Sequence, residues 1–102
     1  MEAVEKRAAL PLEGNLDGRC SAQVREALYE HIQHHPGPDV VVDLSRVDSM
    51  DVTALRLLGT AALRVERTGR HLVLRGCSPS LRRVIAFGGW RRLFVLERSA
   101  RS

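Results

Sequence analysis

Apolar residues recur along this chain with two different periods, and the period separates helix from strand. Ala8–Leu12 is a short apolar run that reads as a strand, ended by the turn residues Glu13-Gly14-Asn15. From Cys20 to about His34 the spacing is helical, because Val24, Leu28 and Ile32 recur every four residues. His34-His35-Pro36-Gly37-Pro38 breaks that pattern, since two prolines and a glycine sustain neither helix nor central strand. Val40-Val41-Val42 followed by Asp43-Leu44 is a continuous β-branched run, the mark of a strand buried on both faces. Ser45–Met50 then turns the chain into the longest helix, Asp51 to about Thr68, closed by Thr68-Gly69. Leu55, Leu58, Ala62 and Val65 form the stripe of that helix expected to face the sheet. His71–Arg75 is another strand, and Ser78-Pro79 opens a third helix with serine as N-cap and proline at the first helical position. That helix is expected to turn Leu81, Val84 and Ile85 inward and to end at Gly88-Gly89, before a last short strand at Leu93–Leu96.

Strictly alternating strands and helices predict an α/β domain, a mostly parallel or mixed sheet of about four strands with about three helices. So few helices should cover one face of the sheet well and the other poorly. At 102 residues the chain has room for one core, so residues 1–102 are expected to form a single domain with its core at about 8–96. Hydrophobic residues at 44% and charged residues at 27% argue against disorder. The apolar runs are only a few residues, against the ~20 of a membrane span. The opening MEAVEKRAAL lacks the apolar stretch of a secretory signal. The expectation is a soluble, cytoplasmic protein with no membrane contact.

Charge is unevenly divided. Residues 1–51 carry five basic and ten acidic side chains, a net of −5, and residues 52–102 carry eleven and two, a net of +9. A basic half invites a nucleic-acid reading. Against it, the arginines are spread along the elements and no aromatic interleaves them as single-strand binding needs. A solvated surface, or a docking face for an acidic protein, is the better account.

Nothing in the chain has the pattern of an enzyme. There is no phosphate-binding glycine loop, no dinucleotide fingerprint, no HExxH and no GxSxG. His31, His34 and His35 have neither a cysteine nor a carboxylate pair at ligand spacing, so no metal and no cofactor is expected. Cys20 and Cys77 are far apart and read as small core fillers rather than a disulfide. Cys77 lies just ahead of a helix N-cap, a place that can activate a thiol, but no partner base stands near it in sequence.

The informative segment is Val40–Leu58, in which a buried strand hands over, through an acidic turn, to a helix N-terminus. Binding sites of open α/β sheets gather at such strand ends. With Asp51 as N-cap, Thr53 falls in the first helical turn at the head of a row continued by Arg56, Thr60, Arg64 and Arg67. A phosphate there would add about −1.5 to −2 charges. The helix dipole would favour it, while Asp48 and Asp51 would oppose it. Geometry alone fits both a modification switch and an ordinary first-turn threonine.

The segment resembles the signature of the STAS domain, the fold of bacterial anti-sigma factor antagonists. Asp43-Leu44-Ser45-Arg46-Val47 is similar to the family's strand end, and Asp51-Val52-Thr53-Ala54-Leu55 to its Asp-Ser-Ser/Thr-Gly-Leu helix opening. Leu12-Glu13-Gly14-Asn15-Leu16-Asp17 resembles the turn before the first helix, Gly69–Leu74 the exit from the second, and Leu93-Phe94 after Gly88-Gly89 the closing pattern. The likeness runs from about Ala8 to Leu96. Val52 stands where the family usually has serine and Ala54 where it often has glycine, and the chain ahead of Ala8 is short for the family's leading strand, which is expected to be truncated or absent.

The resemblance implies partner switching. The unphosphorylated antagonist binds an anti-sigma factor, a serine-threonine kinase of the GHKL ATPase type, and so frees the sigma factor. The kinase phosphorylates the hydroxyl at the helix opening and breaks the complex; a phosphatase of the PP2C type restores it. Carried onto this chain, the acceptor is Thr53, and the contact surface is Asp17, Asp48, Ser49, Met50, Asp51, Val52, Thr53, Arg56 and Thr60. Two other readings remain. One is a STAS scaffold that is never phosphorylated, a subunit of a signalling or lipid-transport assembly. The other is nucleic-acid binding by the basic half.

Overall fold

Four parallel strands lie side by side in chain order, with a helix in each of the three crossovers. The computed structural model describes residues 9–87 and 91–97. The strands are β1 (Ala9–Leu16), β2 (Asp39–Met50), β3 (His71–Arg75) and β4 (Val95–Leu96), and the helices are α1 (Ser21–His34), α2 (Val52–Glu66) and α3 (Pro79–Phe87). Short 3-10 turns, Gly18–Cys20 and Arg91–Leu93, precede α1 and β4. This is the α/β arrangement that the alternation of elements predicts. The expectations for the chain ahead of Ala8 and for the Gly88-Gly89 helix end lie outside the described residues.

When neighbouring strands follow one another in sequence, right-handed crossovers put every helix on the same face. The core bears this out. Leu28 of α1, Leu55 and Leu58 of α2, and Leu81 and Ile85 of α3 pack in one cluster with Val40, Val42 and Leu44 of β2 and Leu72 and Leu74 of β3. The opposite face carries a row in register, Ala9, Val41, Val73 and Val95, in which Val41 is half-buried and Val95 is exposed. The apolar stripe of α2 is buried as expected, and its small residues Gly59, Ala61 and Ala62 are buried with it. Val84, expected to point inward, is exposed instead, because the two residues four apart, Leu81 and Ile85, already turn α3 onto the core.

The largest departure from the sequence reading is the length of β1 and β2. Glu13-Gly14-Asn15 and Ser45–Met50 are not turns but strand, and they pair with each other. The pairing slips twice, between Pro11 and Glu13 and between Gly14 and Asn15, each time with an extra residue on β2. Each insertion delays the next inward residue by one position. Beyond Leu44 the buried residues therefore come every third place, Leu44, Val47 and Met50, with exposed pairs between them. A bulged strand of this kind imitates a polar turn.

Candidate functional site

The extended strands carry two handover points to the same edge of the sheet. Leu16 pairs with Met50, and the next residue on β2 continues the link: the Asp51 N–H donates to the Leu16 carbonyl at 3.0 Å. The Ser49 hydroxyl donates to Asn15 Oδ1 at 2.8 Å, tying the strand ends side chain to side chain. Each strand then ends in an aspartate that caps the next helical turn. Asp17 Oδ1 accepts from the Arg19 N–H at 2.9 Å and starts the 3-10 turn into α1. Asp51 Oδ1 accepts from the Ala54 N–H at 2.9 Å and starts α2. Both carboxylates neutralise amide groups that a helix start leaves without partners.

Thr53 sits one residue into α2, exposed as the sequence predicts, beside Val52 at 61% exposure. Asp48 and Ser49 are exposed on the bulged end of β2, and Asp17 is half-buried at the end of β1. Arg56 and Thr60 follow Thr53 along the exposed side of α2. Met50, expected on the contact surface, belongs to the core. The doubly bulged register turns its side chain inward, so it supports the start of α2 from beneath.

Sequence reasoning missed the other wall. Between α1 and α2 runs a groove of about 280 Å³, lined by Ser21, Arg25 and Tyr29 from α1 and by Thr53, Arg56, Leu57 and Thr60 from α2. The Tyr29 ring is in turn covered by the Arg64 guanidinium of α2, 5.1 Å from its centroid. The α1 residues stand four apart, so helical spacing marks them as one face. That the face would meet Thr53 comes only from how the helices pack. The site divides electrostatically: Asp17, Asp48 and Asp51 lie on the strand-end side, Arg25 and Arg56 in the groove.

The arrangement presents an exposed hydroxyl, Thr53, at the head of the groove. His31, His34 and His35 lie at the other end of α1, and His71 begins β3, so none is placed to act as a base on Thr53. His31 is buried with its ring 4.2 Å from that of His35. His34 and His35 each turn Nδ1 to a backbone carbonyl of the preceding helical turn. Among the described residues no group of histidine, cysteine and carboxylate side chains has the geometry of a metal site. Cys20 and Cys77 are both free and half-buried. Burial pushes the Cys77 thiol above its ordinary value, and the Arg82 guanidinium offsets part of that rise. Ser78 caps α3 as expected, accepting from the Leu81 N–H at 3.2 Å. Among the described residues no helix is long and apolar enough to cross a membrane.

Several solved structures share this architecture. A putative anti-sigma factor antagonist from Thermotoga maritima superposes with a TM-score of 0.76 at 14% identity, over 92% of this chain and 82% of that one. The anti-sigma factor antagonist SpoIIAA in its unphosphorylated form gives 0.67 at 20% identity, over 91% and 80%. The phosphorylated form of SpoIIAA, described as a Bacillus cell fate determinant, gives 0.65 at 20% identity, over 91% and 84%. A sulfate transporter family protein from Wolinella succinogenes gives 0.71 at 21% identity, over 86% and 74%. No curated protein matches the chain. The family model described as "Mlab, STAS domain" matches residues 1–97, and the chain therefore belongs to the STAS domain family.

Proposed function

We propose that the protein is a non-enzymatic partner switch: an anti-sigma factor antagonist that docks, unphosphorylated, on a GHKL-type kinase acting as anti-sigma factor. Phosphorylation of Thr53 releases it, and a PP2C-type phosphatase resets it. The observation that carries this reading is the exposed Thr53 in the first turn of α2, held rigidly by the Asp51 cap and by the Asp51–Leu16 backbone bond. Its support from likeness is SpoIIAA, a protein of the same fold known in unphosphorylated and phosphorylated forms. The surface would be Asp17, Asp48, Ser49, Asp51, Val52, Thr53, Arg56 and Thr60, with Met50 beneath it. A phosphate adds about −1.5 to −2 charges. In an interface built around a neutral hydroxyl such charge is repelled and desolvated at a loss.

The test is incubation with the cognate kinase and ATP, and then peptide mapping. Phosphate on Thr53 supports the assignment, and phosphate elsewhere with Thr53 untouched defeats it. Thr53→Glu should bind the kinase roughly ten- to a hundredfold more weakly than Thr53→Ala, a difference of about 1.4–2.8 kcal/mol. Equal affinities would remove the charge mechanism.

A second reading has its own observation. Val52 is exposed at the head of α2, where the family usually carries a hydroxyl, and the matching family model is the one described by Mlab. An apolar side chain there suits a permanent contact, as in a subunit of a signalling or lipid-transport assembly. Light scattering on the purified complex distinguishes the two readings. A switch exchanges its partner on phosphorylation, and a subunit keeps it.

A further inference from the structure

The groove between α1 and α2 holds what a phosphate on Thr53 would need and the strand ends lack. We propose that Arg25 of α1 and Arg56 of α2 clasp the phosphate of phosphorylated Thr53 in this groove, so that modification locks the two helices together as well as repelling a partner. The inference rests on the reading of Thr53 as the phosphorylated residue. In the step that creates the group, a bond forms between Thr53 Oγ1 and the γ-phosphorus of a nucleoside triphosphate. The bond from that phosphorus to the bridging oxygen breaks, the nucleoside diphosphate leaves, and the hydroxyl proton passes to a base of the kinase.

Three observations point to the clasp. First, Thr53, Arg25 and Arg56 line the same groove, with the hydroxyls of Ser21, Tyr29 and Thr60 beside them. Arg56 is three residues from Thr53, neighbours on one helix face, and Arg25 reaches from the opposite wall. Second, these two arginines are uncommitted, whereas others have fixed tasks. Arg70 holds backbone carbonyls, Arg75 pairs with Glu97, Arg82 reaches the Glu97 carbonyl and Arg64 covers Tyr29. Neither Arg25 nor Arg56 has an ion pair or hydrogen bond to its side chain among the described residues. Third, the other side of Thr53 is lined by carboxylates. The Asp51 carboxylate already takes the Ala54 N–H, and Asp17 and Asp48 add charge of the same sign. A phosphate with two charges turns from three carboxylates towards two guanidiniums, whose planar forks match its oxygens.

The test separates this inference from the kinase assignment. Phosphothreonine is placed at position 53 of the full chain during translation, without any kinase, and its second ionisation is monitored by phosphorus NMR. An unclasped phosphate ionises near pH ~6. In the native sequence the midpoint should fall by about one unit, the effect of close opposite charge. Arg25→Gln and Arg56→Gln should each return part of that shift and the double variant all of it, while Arg83→Gln on α3 should return none. Circular dichroism verifies that each variant is folded. A midpoint that is the same in the native sequence and the double variant overturns the clasp, whatever the kinase does. Failure of a kinase to modify Thr53 would sink the partner switch and leave the titration unchanged.

Discussion

Where β3 leaves the sheet, Gly76 presses against the first bulge of β2, and the contact can be turned into a measurement. Gly76 has φ +75°, and a Cβ built on it would lie 2.8 Å from Ser45 Cβ and 3.1 Å from both Ser45 Cα and Ser45 N. Two of those three atoms are backbone of the bulged strand, so they cannot swing aside. Gly69, at the end of α2, has nearly the same conformation, φ +81°, but a Cβ there meets nothing within 4 Å. Gly69→Ala should therefore cost only the left-handed penalty, about 1–2 kcal/mol. Gly76→Ala should add the cost of overpacking, a further 1–3 kcal/mol or so. At about 4–8 °C per kcal/mol for a domain of this size, the second variant should melt roughly 5–20 °C below the first. Thermal and urea unfolding monitored by circular dichroism reads the difference directly. If the two variants fall within about 0.5 kcal/mol of each other, the limit of ordinary additivity, the rigid backbone contact is refuted.

Two further outcomes test other parts of the molecule. Arg70 donates from Nε to the Gly37 carbonyl at 2.7 Å, from Nη1 to the Ile32 carbonyl at 3.3 Å and from Nη2 to the His35 carbonyl, so it clamps the end of α1. Arg70→Ala should lose about 2–3 kcal/mol and speed amide exchange locally in 32–38; unchanged exchange there would refute the clamp, and Arg70→Lys should restore little of it because an ammonium lacks the fork. The raised Cys77 value means that the folded state holds this proton more tightly than the unfolded chain. The stability it contributes is complete below the ordinary thiol value of about 8.5 and fades as pH rises through the folded value. Peptide-resolved alkylation of Cys77 at pH 8 should run slower than that of a free thiol. It should slow further in Arg82→Gln, since that change removes the offsetting cation; faster labelling of the variant would contradict the assigned cause.

How much of the fold and the site is legible in the sequence depends on which regularity each element keeps. Helix α2 keeps its period throughout, so its buried stripe, its Asp51 cap and the exposure of Thr53 can all be read from spacing. The ends of β1 and β2 cannot. Two extra residues replace the alternation of a strand by a three-residue repeat, and Glu13-Gly14-Asn15 has the composition of a turn. Met50 reads as a surface residue for that reason. Half of the groove is hidden for a different one. Ser21, Arg25 and Tyr29 announce a common face, but only tertiary packing brings that face to Thr53. Asp17 is reached through resemblance alone, and its capping bond supplies the physical reason an aspartate stands there.

The last partner of β2 on its β3 side is Arg75, opposite Asp43, yet β2 runs on to Met50 against β1 alone. Among the described residues the sheet thus ends in a two-stranded pier whose β2 flank pairs with no further strand, and an open flank is where a foreign strand can add itself. Two irregularities in the backbone and the exposed charges of Arg46 and Asp48 spoil that flank as a template for uncontrolled stacking. The kinks that spoil the flank for stacking also set the point where β2 hands over to α2, so resistance to stacking and the exposure of Thr53 come from one device.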